Sequence, residues 1–274
     1  MAREKRKNDA LGAGAAQAVR RKIAVATWTP ATEGRLMTRI VIDAKPIQDY
    51  VASRRAAGAK GLTIMHVVGC AAAQAVKQIP EANARVLGGR ILPFEQISIG
   101  YAVDIGLGTD LAPCTIRNAD ALTPAEMANQ VWSGVKALRE GTDDGFNLTT
   151  RVASYVPSFL MRPLMMASST ILGGLSLPLL GQEGNPLGSV FISNVAPLNV
   201  EEVFLAPVPF ARTPVYMSIG IVTDRPVVRD GKVEIVPQFT LCLTGDHRMV
   251  DGVQCAIYFE ALKALLRDPE QLGG

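Results

Sequence analysis

The polar heptad at residues 246–252 (DHRMVDG) holds His247, one of two histidines in the 274-residue chain. An alternating apolar run over 235–244 predicts a strand before it, and the apolar spacing over 253–266 predicts a helix after it. Proteins of the α/β class often place chemistry at such a turn, because the backbone there is rigid and accessible. An imidazole in this position can take or give a proton near neutral pH. The heptad is therefore a candidate site for general acid–base chemistry.

A purely structural interpretation of the same residues is also open. Asp251 is followed three positions later by Gln254, which is the pattern of a helix capping box, so Asp251 could serve only as an N-cap. Asp246 and Arg248 could form an ordinary surface ion pair, and a lone histidine in a loop is often structural. Spacing alone does not decide between the two interpretations.

The elements that must position the heptad alternate between strands and helices. Thr123, Pro124 and Glu126 combine a cap, a first-turn proline and a capping glutamate, so a helix is expected from there to residue 139. Further helices are predicted over 47–57 and 64–79, and strands over 37–44, 97–105, 215–223 and 226–244, the last with a tight turn at Asp230 and Gly231. The pattern predicts a mixed sheet with helices on one face.

Composition indicates a well-buried globular protein, since 48% of the residues are hydrophobic and 19% are charged. The length suffices for one large domain or two small ones. We expect a cytoplasmic protein without a signal peptide, because the first residues are charged and no continuous apolar stretch follows them. Its cysteines lie far apart and are expected to be reduced and buried; they are Cys70, Cys114, Cys242 and Cys255. With two histidines and scattered cysteines, a metal site is not expected.

The N-terminus is basic, although the net charge of the whole chain is only +3. Residues 1–22 contain seven basic and two acidic side chains. We expect residues 1–20 to form a flexible, solvated arm. Contact with a neighbouring subunit, an anionic lipid or a nucleic acid remains open, but no motif favours nucleic-acid recognition.

Several segments, in register, resemble the 2-oxo acid dehydrogenase dihydrolipoyl acyltransferases. The heptad, the helix after it and residues 266–270 (LRDPE) are similar to their C-terminal signature, and the related chloramphenicol acetyltransferase carries a similar His-x-x-x-Asp-Gly. Upstream, the resemblance includes residues 21–24 (RKIA), 79–84 (IPEANA), 97–103 and 191–194 (FISN). It covers roughly residues 20–150 and 186–270. The resemblance implies an acyltransferase catalytic domain over 21–274 with an α/β fold of two layers (α+β), in which helices pack on a chloramphenicol acetyltransferase-like mixed β-sheet.

The resemblance also implies roles for individual residues. His247 would deprotonate the thiol of dihydrolipoamide or coenzyme A and then reprotonate the leaving thiolate. Ser193 would donate its hydroxyl to the tetrahedral oxyanion, although it could also be a strand-end serine bonded to backbone. Asp251 would be the third catalytic residue, in a supporting role. Asp246 and Arg248 would fix the loop by ion pairing, beside a further supporting residue, Asn194. Coenzyme A is implied as a substrate, with no metal.

An apolar insertion is predicted at about 151–185, where the family has a short polar stretch. Arg162 is the only charge between Val152 and Gln182, and residues 163–182 carry none. Twenty such residues could span a bilayer, but prolines, glycines and hydroxyl groups interrupt the run, and no positive cluster flanks it. We therefore do not expect a membrane partner. Packing on the domain or between subunits is favoured, and the insertion could also reshape the substrate channel.

The resemblance finally implies a homotrimer with active sites between its subunits. The sequence shows no lipoyl or peripheral-subunit-binding domain, so a lipoyl group would come in trans from a lipoyl-domain protein or from other 2-oxo acid dehydrogenase components. Residues 271–274 (QLGG) lack the apolar tail expected for a large cage, which favours a free trimer or a smaller assembly.

Three functions remain open from the sequence. The first is acyl transfer between coenzyme A and a dihydrolipoyl thiol supplied in trans. The second is a chloramphenicol-type acetyl-coenzyme A-dependent transfer to a hydroxyl or amine. The third is a catalytically idle scaffold of a 2-oxo acid dehydrogenase complex.

Overall fold

The structure, a computed structural model, describes residues 34–106 and 111–273. Its strands are β1 (Arg35–Asp43), β2 (Ala84–Leu87), β3 (Arg90–Pro93), β4 (Ile99–Asp104), β5 (Leu111–Ile116), β6 (Val190–Asn194), β7 (Val215–Ile219), β8 (Thr223–Arg229) and β9 (Lys232–Asp246). Its α-helices are α1 (Lys45–Ala56), α2 (Ile64–Val76), α3 (Pro124–Glu140), α4 (Asp144–Tyr155), α5 (Ser158–Ser169) and α6 (Gly252–Arg267). The basic arm predicted at 1–20 and the family-like segment at 21–24 lie outside the described residues.

A seven-stranded mixed sheet organises this part of the chain. Its order is β1-β9-β7-β6-β4-β5, and β8 also pairs with β9. The central strand β6 runs parallel to both neighbours, β4 and β7, whereas the other pairs are antiparallel. β2 and β3 form a separate antiparallel hairpin. The longest strand, β9, therefore lies between β1 and β7 and runs directly into the heptad.

Helices α1, α2, α3 and α6 cover one face of the sheet. A single core cluster joins apolar side chains of these helices to alternate residues of the strands, such as Ile192 and Met217. Almost every residue of α2 is buried, as expected for a helix that is apolar on all sides. The opposite face carries a smaller cluster around Leu187, Ala211 and Tyr216. The predicted two-layer α/β architecture with helices packed on a mixed sheet is confirmed.

The local signals that set element ends are confirmed in two places. Thr123 caps α3 and forms the predicted capping box with Glu126. Asp230 and Gly231 both adopt positive φ, 50° and 76°, as the two central residues of a type I′ hairpin turn must. That turn joins β8 to β9 and pairs Val228 with Val233. Short sequence patterns are sufficient here because the hydrogen bonds that decide them are local.

Other predicted boundaries are wrong by a few residues. The helix expected to reach residue 79 ends at Val76, and the strand expected over 215–223 ends at Ile219. Thr223 instead begins β8, because the chain turns after β7 and pairs anew with β9. The end of β7 is set by its register with β9, which begins more than 10 residues after Ile219.

The segment where the sequence predicts an apolar insertion is mainly helical. α4 and α5 form two short helices, and a single π-helical turn, Thr170–Gly174, follows them. Asp143 caps α4 through Phe146 N at 2.8 Å. Within the described residues, no helix is both long and apolar enough to cross a membrane.

Candidate active site

His247 lies on an exposed turn between β9 and α6. Backbone hydrogen bonds fix the turn on both sides: Asp246 N donates to Pro214 O at 2.9 Å, and His247 N donates to Gly34 O at 3.3 Å. The next residues, Met249 and Val250, are buried in the core. The backbone is therefore anchored while the imidazole faces outward, and no other described side chain hydrogen-bonds the ring.

Arg248 and Asp246, the two sequence neighbours of His247, form an ion pair with each other. Arg248 Nε donates to both carboxylate oxygens of Asp246, at 2.9 and 3.1 Å, and Nη2 donates to Oδ2 at 2.5 Å. Arg248 N also donates to Asp246 Oδ1 at 3.0 Å. Such a forked, charge-assisted contact has a defined geometry. The structure thus shows the ion pair expected from the sequence, and it directs this carboxylate to arginine rather than to the imidazole.

Asp251 caps the helix that follows the turn. Its Oδ1 accepts hydrogen bonds from Val253 N at 2.8 Å and Gln254 N at 3.4 Å, while Gln254 Oε1 accepts from Asp251 N at 3.2 Å. This capping box confirms the N-cap prediction. The carboxylate is thus occupied with the start of α6, where it accepts hydrogen bonds from backbone N–H groups.

Ser193 lies near the end of β6, far from His247 within one chain. Strand register pairs Ser193 with Ser218 of β7, and Ser218 with Cys242 of β9. His247 follows Cys242 by five positions along β9 and the turn. With a rise of about 3.4 Å per residue and about 4.8 Å between strands, the Cα atoms of Ser193 and His247 are roughly 20 Å apart. A single chain therefore does not bring the two residues together.

The two ends of the motif at 191–194 face opposite sides of the sheet. Ile192 belongs to the helix-covered core, whereas Phe191 packs with Tyr216 on the other face. Because strand side chains alternate, Ser193 shares the face of Phe191 and is half-buried there. Asn194 turns to the helical side, where its Oδ1 accepts from Ala196 N at 3.2 Å.

A pocket of about 420 Å³ opens beside Asn194. Its walls come from α1, the start of α2 and the ends of β6 and β7, and Arg55 is its only charged lining residue. The guanidinium is held at the rim by a 2.7 Å bond from Nε to Leu62 O. The pocket has the size of a small-molecule site and suits an uncharged or anionic ligand. No sequence pattern predicts this pocket, because Arg55 and Thr63 lie more than 100 residues from Asn194.

The second histidine is buried and structural. His66 is 2% exposed, and its Nδ1 accepts from Thr63 N at 3.0 Å as part of the α2 capping box. Burial, assisted by nearby Arg55, lowers the pKa of His66 to about 4. It therefore stays neutral near pH 7 and has no access to solvent. Among the two histidines, His247 alone is placed to exchange protons with a substrate.

The cysteines are free thiols, and all four are buried, as predicted. Burial raises the pKa of Cys70 to about 12 and that of Cys255 to about 11. A thiol must be deprotonated to act as a nucleophile. These side chains are therefore not candidates for covalent catalysis. Groups of three or more potential metal ligands do not occur in the described ranges.

Comparison with curated and solved proteins supports the relationship suggested by the heptad. One relative is the dihydrolipoyllysine-residue succinyltransferase component of the 2-oxoglutarate dehydrogenase complex of Haemophilus influenzae, 27% identical over 204 residues. The match covers 74% of this chain and 39% of that relative. The chain thus spans well under half the length of this curated relative.

Solved structures show the same fold at low identity. A probable dihydrolipoamide acetyltransferase from Listeria monocytogenes superposes with a TM-score of 0.66 at 19% identity, covering 91% of this chain and 89% of that one. The Azotobacter vinelandii dihydrolipoamide acetyltransferase, studied for a serine, a histidine and an asparagine in its catalytic mechanism, gives 0.63 at 18%, covering 88% and 84%. A chloramphenicol acetyltransferase gives 0.51 at 10%, covering 90% and 94%. The predicted chloramphenicol acetyltransferase-like fold is therefore confirmed.

The family's sequence model, described as the 2-oxoacid dehydrogenases acyltransferase (catalytic domain), matches residues 18–144 and 185–273. The matched ranges include the heptad, the strand with Ser193 and the helices that cover the sheet. They omit residues 145–184, which hold most of α4 and all of α5. By this match, which extends over most of its length, the chain belongs to the 2-oxo acid dehydrogenase acyltransferase family.

Proposed function

We propose that this protein transfers an acyl group between coenzyme A and a dihydrolipoyl thiol carried by a separate protein. The observation that carries the proposal is the placement of His247: an exposed imidazole on an anchored strand-to-helix turn, in a chain of this acyltransferase family. Its succinyltransferase and acetyltransferase relatives move acyl groups, which supports the reaction class. The acyl group itself depends on pocket shape, which a few side chains can change.

The proposed chemistry assigns one task to each residue. The His247 imidazole takes the proton of the incoming thiol, whose sulfur attacks the thioester carbonyl carbon. Ser193 donates its hydroxyl to the oxyanion of the tetrahedral intermediate. When the intermediate collapses, the carbon–sulfur bond to the leaving thiolate breaks, and the imidazolium returns its proton to that sulfur. No electrons are exchanged with a redox partner, and the step needs no metal.

Asp246, Arg248 and Asp251 act as positioning residues in this proposal. The Asp246–Arg248 fork and the Asp251 cap hold the two ends of the turn that carries His247. In the Azotobacter vinelandii protein the named asparagine is the fourth residue after the named histidine. Asp251 occupies the same offset from His247. Both side chains can accept the helix-capping hydrogen bonds, which supports a structural task at that position.

The active site is proposed to form between subunits of a homotrimer. The separation of roughly 20 Å between Ser193 and His247 excludes their direct cooperation in one chain. A head-to-tail ring would place the His247 turn of one subunit against the Ser193 face of the next. Asn194 and the Arg55 pocket belong to the same subunit as Ser193 but open on the opposite, helix-covered face of the sheet, where the pocket suits an anionic substrate such as coenzyme A.

A direct assay tests the proposal. The protein is mixed with acetyl- or succinyl-coenzyme A and dihydrolipoamide, and thioester formation is followed. We expect turnover that falls by on the order of a hundredfold or more in His247→Ala, because the base is lost. Glu260→Ala, which removes an exposed titratable side chain of the adjacent helix α6, serves as the matched control and should retain activity.

Two outcomes would contradict the proposal. Turnover with a hydroxyl or amine acceptor, but not with dihydrolipoamide, would indicate the chloramphenicol-type reaction. A defined oligomer without turnover on any of these acceptors would indicate the scaffold function.

A further inference from the structure

The segment that the family match omits forms a two-helix hairpin with an exposed aromatic tip. α4 ends at Tyr155 and α5 begins at Ser158, so Tyr155 and Phe159 lie on either side of the turn. They are 80% and 78% exposed, more than any other large hydrophobic side chain in the described part of the chain. Leu160 and Leu164 continue the apolar surface along α5. A patch of this kind marks an interaction surface.

The charges near the tip of the hairpin are few and of one sign, whereas acidic residues lie at its far ends, Asp144 at the start of α4 and Glu183 directly after Gln182. Residues 145–182 contain Arg151 and Arg162 but no aspartate or glutamate. Arg151 precedes Tyr155 by one helical turn, and Arg162 follows Phe159 by about one turn. Both guanidinium groups are exposed, and neither forms an ion pair with another described residue. Each aromatic residue of the tip is thus backed by a cation on its own helix.

The space between the two helices is also apolar. A pocket of about 360 Å³ lies between α4, α5 and the segment up to Gln182, with Phe210 from the loop before β7 as a further wall. None of its lining residues is charged. An apolar cavity behind an aromatic tip can receive flexible hydrocarbon chains. A protein partner could fill it only with a protruding apolar side chain of matching shape.

We propose, against the expectation from the sequence alone, that this hairpin docks the protein on an anionic phospholipid membrane by its tip, without crossing it. Tyr155 and Phe159 enter the boundary between headgroups and acyl chains, as aromatic and apolar side chains do in interfacial helices. Arg151 and Arg162, one turn behind, contact the lipid phosphates. A two-fold contact between hairpins of two copies would instead bring these four arginines together, which disfavours self-association. The proposal is independent of the acyl-transfer chemistry, because the hairpin lies outside the matched catalytic ranges.

Vesicle flotation tests the proposal with the full chain. The probes are vesicles of phosphatidylcholine alone and of phosphatidylcholine mixed with phosphatidylglycerol. We expect binding to the mixed vesicles that weakens with salt, and a loss on the order of tenfold in Tyr155→Ser/Phe159→Ser. The matched control is Val228→Ser/Val233→Ser, which changes a cross-strand pair of the β8–β9 hairpin with 70% and 71% exposure. It should bind like the unaltered protein.

A charge series and a fluorescence probe complete the experiment. Arg151→Gln/Arg162→Gln should reduce binding to anionic vesicles, whereas Lys60→Gln/Arg90→Gln, two exposed cations elsewhere, should not. A Phe159→Trp variant should show a blue-shifted emission only with mixed vesicles. The basic residues before position 23 are identical in all variants, so differences between variants report the hairpin.

Three results would overturn the proposal. They are absence of binding by the unaltered protein, equal binding by Tyr155→Ser/Phe159→Ser, and a change of oligomeric state in that variant without any vesicle binding. The last would assign the hairpin to a contact between copies of the chain.

Discussion

Ser193 and Ser218 are neighbours across β6 and β7, yet their hydroxyl groups have different surroundings. Ser218 Oγ donates to Val203 O at 2.5 Å and so completes a local backbone contact. Ser193 Oγ has no such bond within the described residues and is half-buried on a face that a second subunit could cover. This difference separates a structural serine from the proposed oxyanion donor.

The pair gives a matched test at the residue scale. In Ser193→Ala we expect kcat to fall on the order of a hundredfold, with little change in stability, because one oxyanion donor is lost. In Ser218→Ala we expect near-normal kcat and a loss of about 1 kcal/mol in the free energy of unfolding. Steady-state kinetics and urea denaturation measure the two effects. Equal kcat values for the two variants would remove Ser193 from the mechanism.

Single residues of the heptad could be predicted from the sequence because their contacts are local. The Asp246–Arg248 pair and the Asp251 cap connect residues two or three positions apart. The Arg55 pocket could not be predicted, because strand and helix packing alone brings Arg55 to Asn194. The separation of His247 from Ser193 likewise depends on the order and register of β9, β7 and β6, which no local pattern contains.

At the scale of elements, the β9–turn–α6 unit determines how well the imidazole is positioned. β9 is held by three neighbours, β1, β7 and β8, and α6 packs on the core through Phe259 and Leu262. The turn between them therefore joins two well-anchored elements. Its geometry depends on the cap at Asp251 and on the fork at Arg248 more than on the flanking sequence.

Substitution of Asp251 separates capping from catalysis. Asp251→Ala should lower the free energy of unfolding by about 1 kcal/mol, because the α6 capping bonds are lost, whereas Asp251→Asn should be nearly neutral. If the side chain acts only as a cap, Asp251→Asn should also keep near-normal kcat. Thermal denaturation and kinetics on both variants decide the point. A large loss of kcat in a stable Asp251→Asn protein would show that the carboxylate charge is needed.

Element types were largely predictable and element ends were not. The alternation of apolar residues in β9 predicts a strand, because successive side chains of a strand point to opposite faces. The capping patterns at Thr123 and Asp251 predict helix starts, because each depends on hydrogen bonds between neighbouring residues. The early end of β7 at Ile219 follows from the partner strand, and the helices α4 and α5 follow no family pattern. The apolar run there is rich in leucine, serine and methionine and shows no clear helical or strand period, so the sequence predicts only an apolar insertion.

At the scale of the molecule, the proposed shared site makes activity a property of the assembly. In a head-to-tail trimer, each site takes its histidine from one subunit and its serine from the next. A chain with His247→Ala still offers Ser193, and a chain with Ser193→Ala still offers His247. Every mixed trimer of the two inactive proteins then contains one complete site.

Mixing the two variants therefore tests the assembly directly. We expect co-expressed His247→Ala and Ser193→Ala chains to recover activity up to about a third of the unaltered value, since a mixed ring holds one intact site in three. Light scattering should show a trimer or a multiple of it, and each variant alone should stay inactive. If mixed assemblies form and recover nothing, the two residues do not share a site.

The burial of the four cysteines has a consequence for chemical selectivity. An acyl donor such as a thioester reacts with any accessible thiolate, including one on the catalyst itself. Burial raises the pKa of Cys70 to about 12 and the pKa values of Cys114 and Cys255 to about 11. Burial also raises the pKa of Cys242, so these thiols stay protonated near neutral pH. These thiols are thereby protected against acylation, and a single cysteine introduced at the surface would be the reactive thiol that reports any acyl donor the protein encounters.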